Sequence, residues 1–204
     1  MNKTLAGLVL LLGAGTLMAE ARAGGIDLAL SDDTANLAVL LNPYRLDGGL
    51  GSELAVGGFI SEDDDRLLHA TLMARGYRPT AQVRYSLAAG LKAIAGDIAI
   101  EPERVPADGE DEERVGAVAL GLQLDYRLSS GRNPVDVGLE VFYAPSITSF
   151  SDAEQFSEFG GRLQIEIIPT ARAYVGYRRM GFDTDDYDDV RLDRSVHVGL
   201  KIIY

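Results

Sequence analysis

The 204-residue chain contains no cysteine and no tryptophan. Without cysteine it can form neither a disulfide nor a thiolate metal site, and it has no thiol nucleophile. Its fold must therefore hold by backbone pairing and packing, and any aromatic belt must be built from nine Tyr and six Phe. Basic charge is also scarce, with 19 Lys and Arg against 31 Asp and Glu and a formal net charge of −12. That balance argues against nucleic acid as a partner, because phosphates require a basic footprint. After residue 19 no apolar run is long enough for a membrane helix. Membrane residence would then require a closed barrel, the other architecture that satisfies every backbone polar group internally.

The amino terminus points to export. Lys3 supplies a short positive region, residues 5–19 are uncharged and mostly apolar, and Ala21-Arg22-Ala23 forms an A-x-A site before Gly24. The run is shorter than the roughly 18 to 20 residues that span a bilayer. Residues 1–23 are thus expected to be a signal peptide cleaved near Ala23, leaving 24–204 as one domain.

Period-two alternation recurs along that domain, with Gly, Asp, Asn and Pro at the breaks. Between residues 81 and 93, Val83, Tyr85, Leu87, Ala89 and Leu91 share one face, opposite Gln82, Arg84, Ser86, Gly90 and Lys92. Val118, Leu120, Leu122, Leu124, Tyr126 and Leu128 oppose Ala119, Gly121, Gln123, Asp125 and Arg127. Val135 to Tyr143 and Leu163 to Ile167 alternate in the same way. Weaker strands fall at 25–31, 34–41, 50–60, 66–75 and 171–180, and a last one at 190–204. The expected fold is all-β, an antiparallel transmembrane β-barrel of ten strands, with eight as the alternative.

Loop lengths agree with such a barrel, in which periplasmic turns are short and external loops long. The short links would be 42–49, 76–80, 129–134 and 168–170, and the external ones 32–33, 61–65, 94–114, 145–155 and 181–189. Tyr85, Tyr126 and Tyr204 then fall at the periplasmic ends of their strands, and Tyr143, Phe159 and Tyr177 at the external ends. These would form two aromatic girdles. Arg179 and Arg194 are outward charges near the external rim, where a charge costs roughly 0–1 kcal/mol rather than 2–4 at the midplane. The opposite face mixes small residues with Glu53, Arg75, Arg84, Lys92, Asp125, Arg127, Asp136, Glu140, Glu158, Arg162 and Glu166, which are expected to line the lumen. A soluble lipocalin-like barrel would alternate equally well with its apolar face inward, but so many Gly and Ala would be unusual on its exterior.

The last residues add an insertion signal. Val198, Leu200, Ile202 and Tyr204 alternate with His197, Gly199 and Lys201. His197, Gly199, Ile202 and Tyr204 fit the polar, glycine, apolar and terminal aromatic positions of the signature read by the outer-membrane insertion machinery.

Three stretches carry a family resemblance: Ala88 to Ile94 (AAGLKAI), Asn133 to Ser146 (NPVDVGLEVFYAPS) and Ala171 to Arg178 (ARAYVGYR). They resemble the YfaZ-type outer-membrane proteins. The resemblance covers most of residues 24–204 and implies a small barrel in the outer membrane of a Gram-negative bacterium. It implies no activity, because these stretches are strand patterns rather than catalytic motifs.

Candidate chemistry is sparse. Ser195 and His197 share a strand face with Asp193 alongside, an arrangement like the Ser and His of outer-membrane lipid A deacylases. Alternate positions lie about 7 Å apart, however, which is loose for a nucleophile and its base. All three face the lumen on this strand assignment, and His69 does too, so a polar lining is the expected role. Asp183, Asp185, Asp186, Asp188 and Asp189 crowd one external loop, and Asp63, Asp64 and Asp65 another. Weak divalent binding at Asp183, Asp185 and Asp186 is the metal reading; neither cluster has an EF-hand pattern, and solvated charge is expected. No cofactor is expected, and no enzyme activity. The function expected is a structural or interaction role for a barrel with a plugged polar lumen, meeting membrane lipid and lipopolysaccharide. The alternatives are a narrow channel for small polar solutes and a lipid-modifying enzyme.

Overall fold

The computed structural model describes residues 24–41, 51–76, 84–100, 112–185, 187 and 189–204. The expected signal peptide and the link at 42–49 lie outside these residues, as do much of the links at 76–80 and 94–114. The strands are β1 (Gly24–Leu30), β2 (Thr34–Leu41), β3 (Gly51–Ser61), β4 (Arg66–Arg75), β5 (Tyr85–Ala99), β6 (Glu112–Ser129), β7 (Val135–Ala144), β8 (Ser149–Ser151), β9 (Ala153–Ile168), β10 (Ala171–Thr184) and β11 (Val190–Ile203). Ten of them form the wall in the order β5-β4-β3-β2-β1-β11-β10-β9-β7-β6, and β5 pairs with β6 to close it. All pairings are antiparallel. The eight-stranded alternative falls because β1 and β2 are both fully paired, to each other and to β11 and β3. The extra segment, β8, follows a single 3-10 turn after β7 and adds only to the far end of β6, where β7 has stopped.

Closure joins the two ends of the described chain. β1 lies against β11 from Gly25↔Ile203 to Leu30↔Val198, and Gly24 and Tyr204 exchange backbone hydrogen bonds of 3.0 and 2.8 Å. Each of the ten wall strands thereby has a paired neighbour on both sides, as a sheet in lipid requires.

Alternation decides which residues face out. Leu87, Leu91, Leu120, Leu122, Val196 and Val198 are all exposed on the outer wall, whereas their neighbours Ser86, Lys92, Gln123 and Asp125 are buried inside. Exposed leucines in a continuous belt around a closed barrel would be intolerable in water. Lipid is the solvent that this face fits.

The pattern reverses toward the end of the barrel opposite Tyr204, here termed the loop end. There Ile98, Val115, Phe156, Phe182, Val190 and Leu192 are buried inside, while Asp97, Arg114 and Arg191 are exposed outside. The longer strands β5, β6, β10 and β11 thus pass from a membrane-type face to one like that of a soluble barrel. This reversal also explains why two links, those expected at 94–114 and 181–189, are shorter than expected. β5 continues through Ile94 and Ile98 to Ala99, β6 begins at Glu112, and β10 continues to Thr184. The chain remains extended where the inward residues cease to be polar.

A bulge marks the reversal in β11. Met180 pairs with Asp193 and Gly181 with Arg191, so Leu192 is skipped. Leu192 and Asp193 are consequently both buried, and Arg191 and Arg194, three apart, are both exposed on the outer wall. A regular strand would have put them on opposite faces.

Candidate functional site

The lumen is where the buried polar chemistry gathers, and it is layered. At the loop end, Phe59, Leu67, Ile98, Val115, Phe156 and Phe182 fill the interior, each at most 2% exposed. The Phe156 and Phe182 rings are tilted against each other at 4.8 Å between centroids. Burying each such side chain contributes about 1.5–3 kcal/mol.

Below this apolar cap lies a layer of ion pairs. Lys92 pairs with Glu158, and its ammonium stands 5.2 Å from the centre of the Phe142 ring. The Arg178 guanidinium donates to Asp193 from Nε at 2.7 Å and lies 5.1 Å from the Phe59 ring centre. Asp193 also accepts from the Ser195 hydroxyl at 2.6 Å and from Thr34 Oγ1 at 3.4 Å. His69 Nε2 is bonded to the Asn36 amide oxygen at 2.9 Å.

A cavity of about 140 Å³ follows, bounded by His69, His197, Tyr174, Asp27, Glu140 and Lys201 among others. Tyr174 donates to Asp27 Oδ1 at 2.6 Å. Glu53, Arg162 and Lys201 separate this space from a second of about 50 Å³ nearer the Tyr204 end, and line both. Lys201 reaches Glu53 at 3.2 Å, and Arg162 reaches Asp125 at 3.4 Å and Glu140 at 3.6 Å.

The Tyr204 end is closed by further pairs. Arg75 bonds Asp125 and Gln123, Arg127 engages Asp136 with Nε and Nη2 at 2.7 and 3.1 Å, and Arg172 meets Glu166 at 3.3 Å. Gln164 adds a donor to Asp136 at 3.3 Å. Pairs of this kind gain little over an apolar filling, but deleting one partner strands a buried charge at a cost of about 3–5 kcal/mol. Packing is relieved by glycine. An added Cβ at Gly121 would lie 2.2 Å from the Phe142 ring, and one at Gly199 would lie 2.0 Å from the Tyr174 ring.

Of the charges expected inside, Glu53, Arg75, Lys92, Asp125, Arg127, Asp136, Glu140, Glu158, Arg162 and Glu166 all face the lumen in ion pairs. Arg84 does not. It sits one residue ahead of β5, exposed at the Tyr204-end rim and without an ion pair among the described residues, although its carbonyl already accepts from the Arg127 amide at 2.6 Å. Asp27, Arg172, Arg178 and Lys201 complete pairs that the sequence alone did not reveal. Their inward parity was legible, but their strands were weak or assigned to other roles.

Ser195 and His197 are not brought together as nucleophile and base. The Ser195 hydroxyl is committed to Asp193, and the His197 ring packs edge-on against Tyr174 at 5.9 Å. Among the described residues no three His, Asp or Glu side chains converge as metal ligands would. Asp183 accepts from the Asp189 amide and from Gln155, Asp185 is exposed, and Asp186 lies outside the described residues. Asp65, expected to be solvated, is instead 3% exposed and pins its turn through Ser61 and the Ala99 amide.

On the outer wall, Tyr85, Tyr126 and Tyr204 are exposed at one level and Tyr143, Phe159 and Tyr177 at another; Tyr85 and Tyr126 are paired across β5 and β6. Within the insertion signature, Ile202 and Tyr204 face outward, and His197 and Gly199 face inward.

A family model described as the YfaZ precursor matches residues 3–204. No curated protein matches the chain. Among solved structures, the chain is similar to that of NanC porin in a rhombohedral crystal form, with 11% identity, a TM-score of 0.44 and coverage of 89% of this chain and 94% of that one.

Proposed function

The chain belongs to the YfaZ family, and from that premise we propose that it acts as a sealed outer-membrane barrel with a structural or interaction role and no catalysis. The observation that carries this reading is the apolar cap of Phe59, Phe156 and Phe182 across the loop end of the lumen. Ions crossing the barrel would have to pass dry aromatic packing and then layers of paired charge, with no aqueous column to shield them. The bond of the Ser195 hydroxyl to Asp193, with the His197 ring packed against Tyr174 instead, supports the absence of acyl-transfer chemistry.

In this reading residues 1–23 are the export signal, cleaved near Ala23. Tyr204 stands at the periplasmic rim, where the insertion machinery acts, and the loop end is external. Lipid and lipopolysaccharide surround the apolar wall, and nucleic acid is not a partner.

A second reading, a narrow channel for small polar solutes, draws on the two cavities of about 140 and 50 Å³. Planar-bilayer recording separates the two. Pure wild-type protein is expected to give no reproducible unitary conductance, and steps that recur from preparation to preparation would replace the sealed barrel with the channel.

A further inference from the structure

In a chain with a net charge of −12, three arginines gather on one patch of the outer wall. Arg179 of β10 faces Arg194 of β11 directly across the ladder. Arg191 joins them only because the bulge at Leu192 and Asp193 turns it to the same side. Like charges placed opposite each other on adjacent strands repel. Among the described residues one carboxylate approaches them: Asp189, 3.7 Å from Arg179 and 3.9 Å from Arg191, with all three side chains more than half exposed. Arg194 has no ion pair among the described residues. The nearby Asp183 is occupied by Gln155 and the Asp189 amide. Among the described residues, three guanidiniums thus share the single carboxylate of Asp189.

The height of the patch on the barrel indicates what would supply further negative charge. On β11 the outward residues below it, Val196, Val198, Leu200, Ile202 and Tyr204, are apolar or aromatic and exposed. From Tyr204 to Arg194 is ten residues, which at about 3.3 Å each and the usual tilt spans about 25 Å, the height of the apolar band of an outer-membrane barrel. Arg179 stands beside Phe159 across the β9–β10 ladder, with Tyr177 one outward position below. The guanidiniums thus lie just above the external aromatic girdle, level with the headgroups of the outer leaflet. A guanidinium fork matches two phosphate oxygens at once.

We infer that Arg179, Arg191 and Arg194 form a docking site on the membrane-facing wall for the phosphate groups of an outer-leaflet lipid, the glycolipid component of lipopolysaccharide. The bulge in β11 is what assembles it. The site deepens the proposed interaction role and rests on the barrel lying in the outer membrane.

Native mass spectrometry of the full barrel in detergent tests it, titrating with bisphosphorylated lipid A, with dephosphorylated lipid A, or with inorganic phosphate. Wild type is expected to bind the bisphosphorylated lipid at least about tenfold more tightly than the dephosphorylated one. Substitution of all three arginines by glutamine should abolish that preference, and Arg114→Gln, at another exposed external position, should keep it. Arg194→Gln alone should weaken the preference in case the triple variant fails to fold. Each variant is checked by the gel shift between unboiled and boiled samples. Equal binding of the two lipids, or an undiminished preference in a folded triple or Arg194→Gln variant, would overturn the site. Inorganic phosphate that competes as well as the lipid would reassign it to free anions. The gel shift and insertion into vesicles report on membrane residence separately, so loss of the lipid site would leave the sealed-barrel reading standing, while failure to insert would remove both.

Discussion

Gly121 and Gly199 show how tightly side chains fill the interior. Each faces inward on the wall directly beside a ring from the adjacent strand, Phe142 and Tyr174 respectively. Gly121→Ala would bring a methyl group to 2.2 Å from the Phe142 ring. Overpacking of this kind costs about 1–3 kcal/mol, so the urea midpoint of the vesicle-embedded barrel should fall. An unchanged midpoint would mean that the ring has room to move. At this scale the sequence told which side chains point inward, because parity along a strand is local. It did not tell which charges meet. Lys92 and Glu158 are 66 positions apart, and their pairing depends on how the closed wall staggers its strands. Arg84 went astray for the opposite reason: its parity was right, but the strand starts one residue later.

The turn between β3 and β4 makes a second local rule visible. Three consecutive aspartates read as solvated charge, yet Asp65 turns inward to accept from Ser61 at 2.7 Å and from the Ala99 amide at 2.9 Å. Burial raises its pKa above the usual 3.8, the Asp63 and Asp64 charges add to the rise, and the two hydrogen bonds only partly offset it. A carboxyl that holds its proton more firmly when folded stabilises the fold while protonated. That contribution is complete below 3.8 and is lost as pH rises through the folded-state value. As pH falls from 7 toward 3.8 the wild type should therefore gain stability relative to Asp65→Asn, whose amide oxygen can still accept from Ala99. Parallel pH profiles in chemical unfolding would contradict this. Strand boundaries near the loop end escaped the sequence on similar grounds. A strand is recognised by contrast between its faces, and that contrast fades at Ile94 and Ile98 before the pairing of β5 with β6 ends.

The whole molecule was legible as a barrel because one period, two residues, governs nearly every segment of the wall. Period alone cannot say which face meets which solvent. The structure answers both ways within single strands, with apolar groups outside below the Arg179–Arg194 level and inside above it. The lumen's contents followed only in part: the polar lining was foreseeable, whereas the cap of Phe59, Phe156 and Phe182 required knowing that distant strands converge. The reversal also means that one strand is protected from water by two different agents. Amides in residues 86–93 of β5 lie behind amphiphile, and those in residues 94–99 lie over the protein's own dry core. Exchange of amide hydrogens proceeds through local opening, so a shorter-chain detergent should quicken exchange in the first stretch and leave the second unchanged. A uniform change along β5 would contradict that division. Along a single strand, the clock of one stretch is set by the surrounding medium, and that of the next by the polypeptide itself.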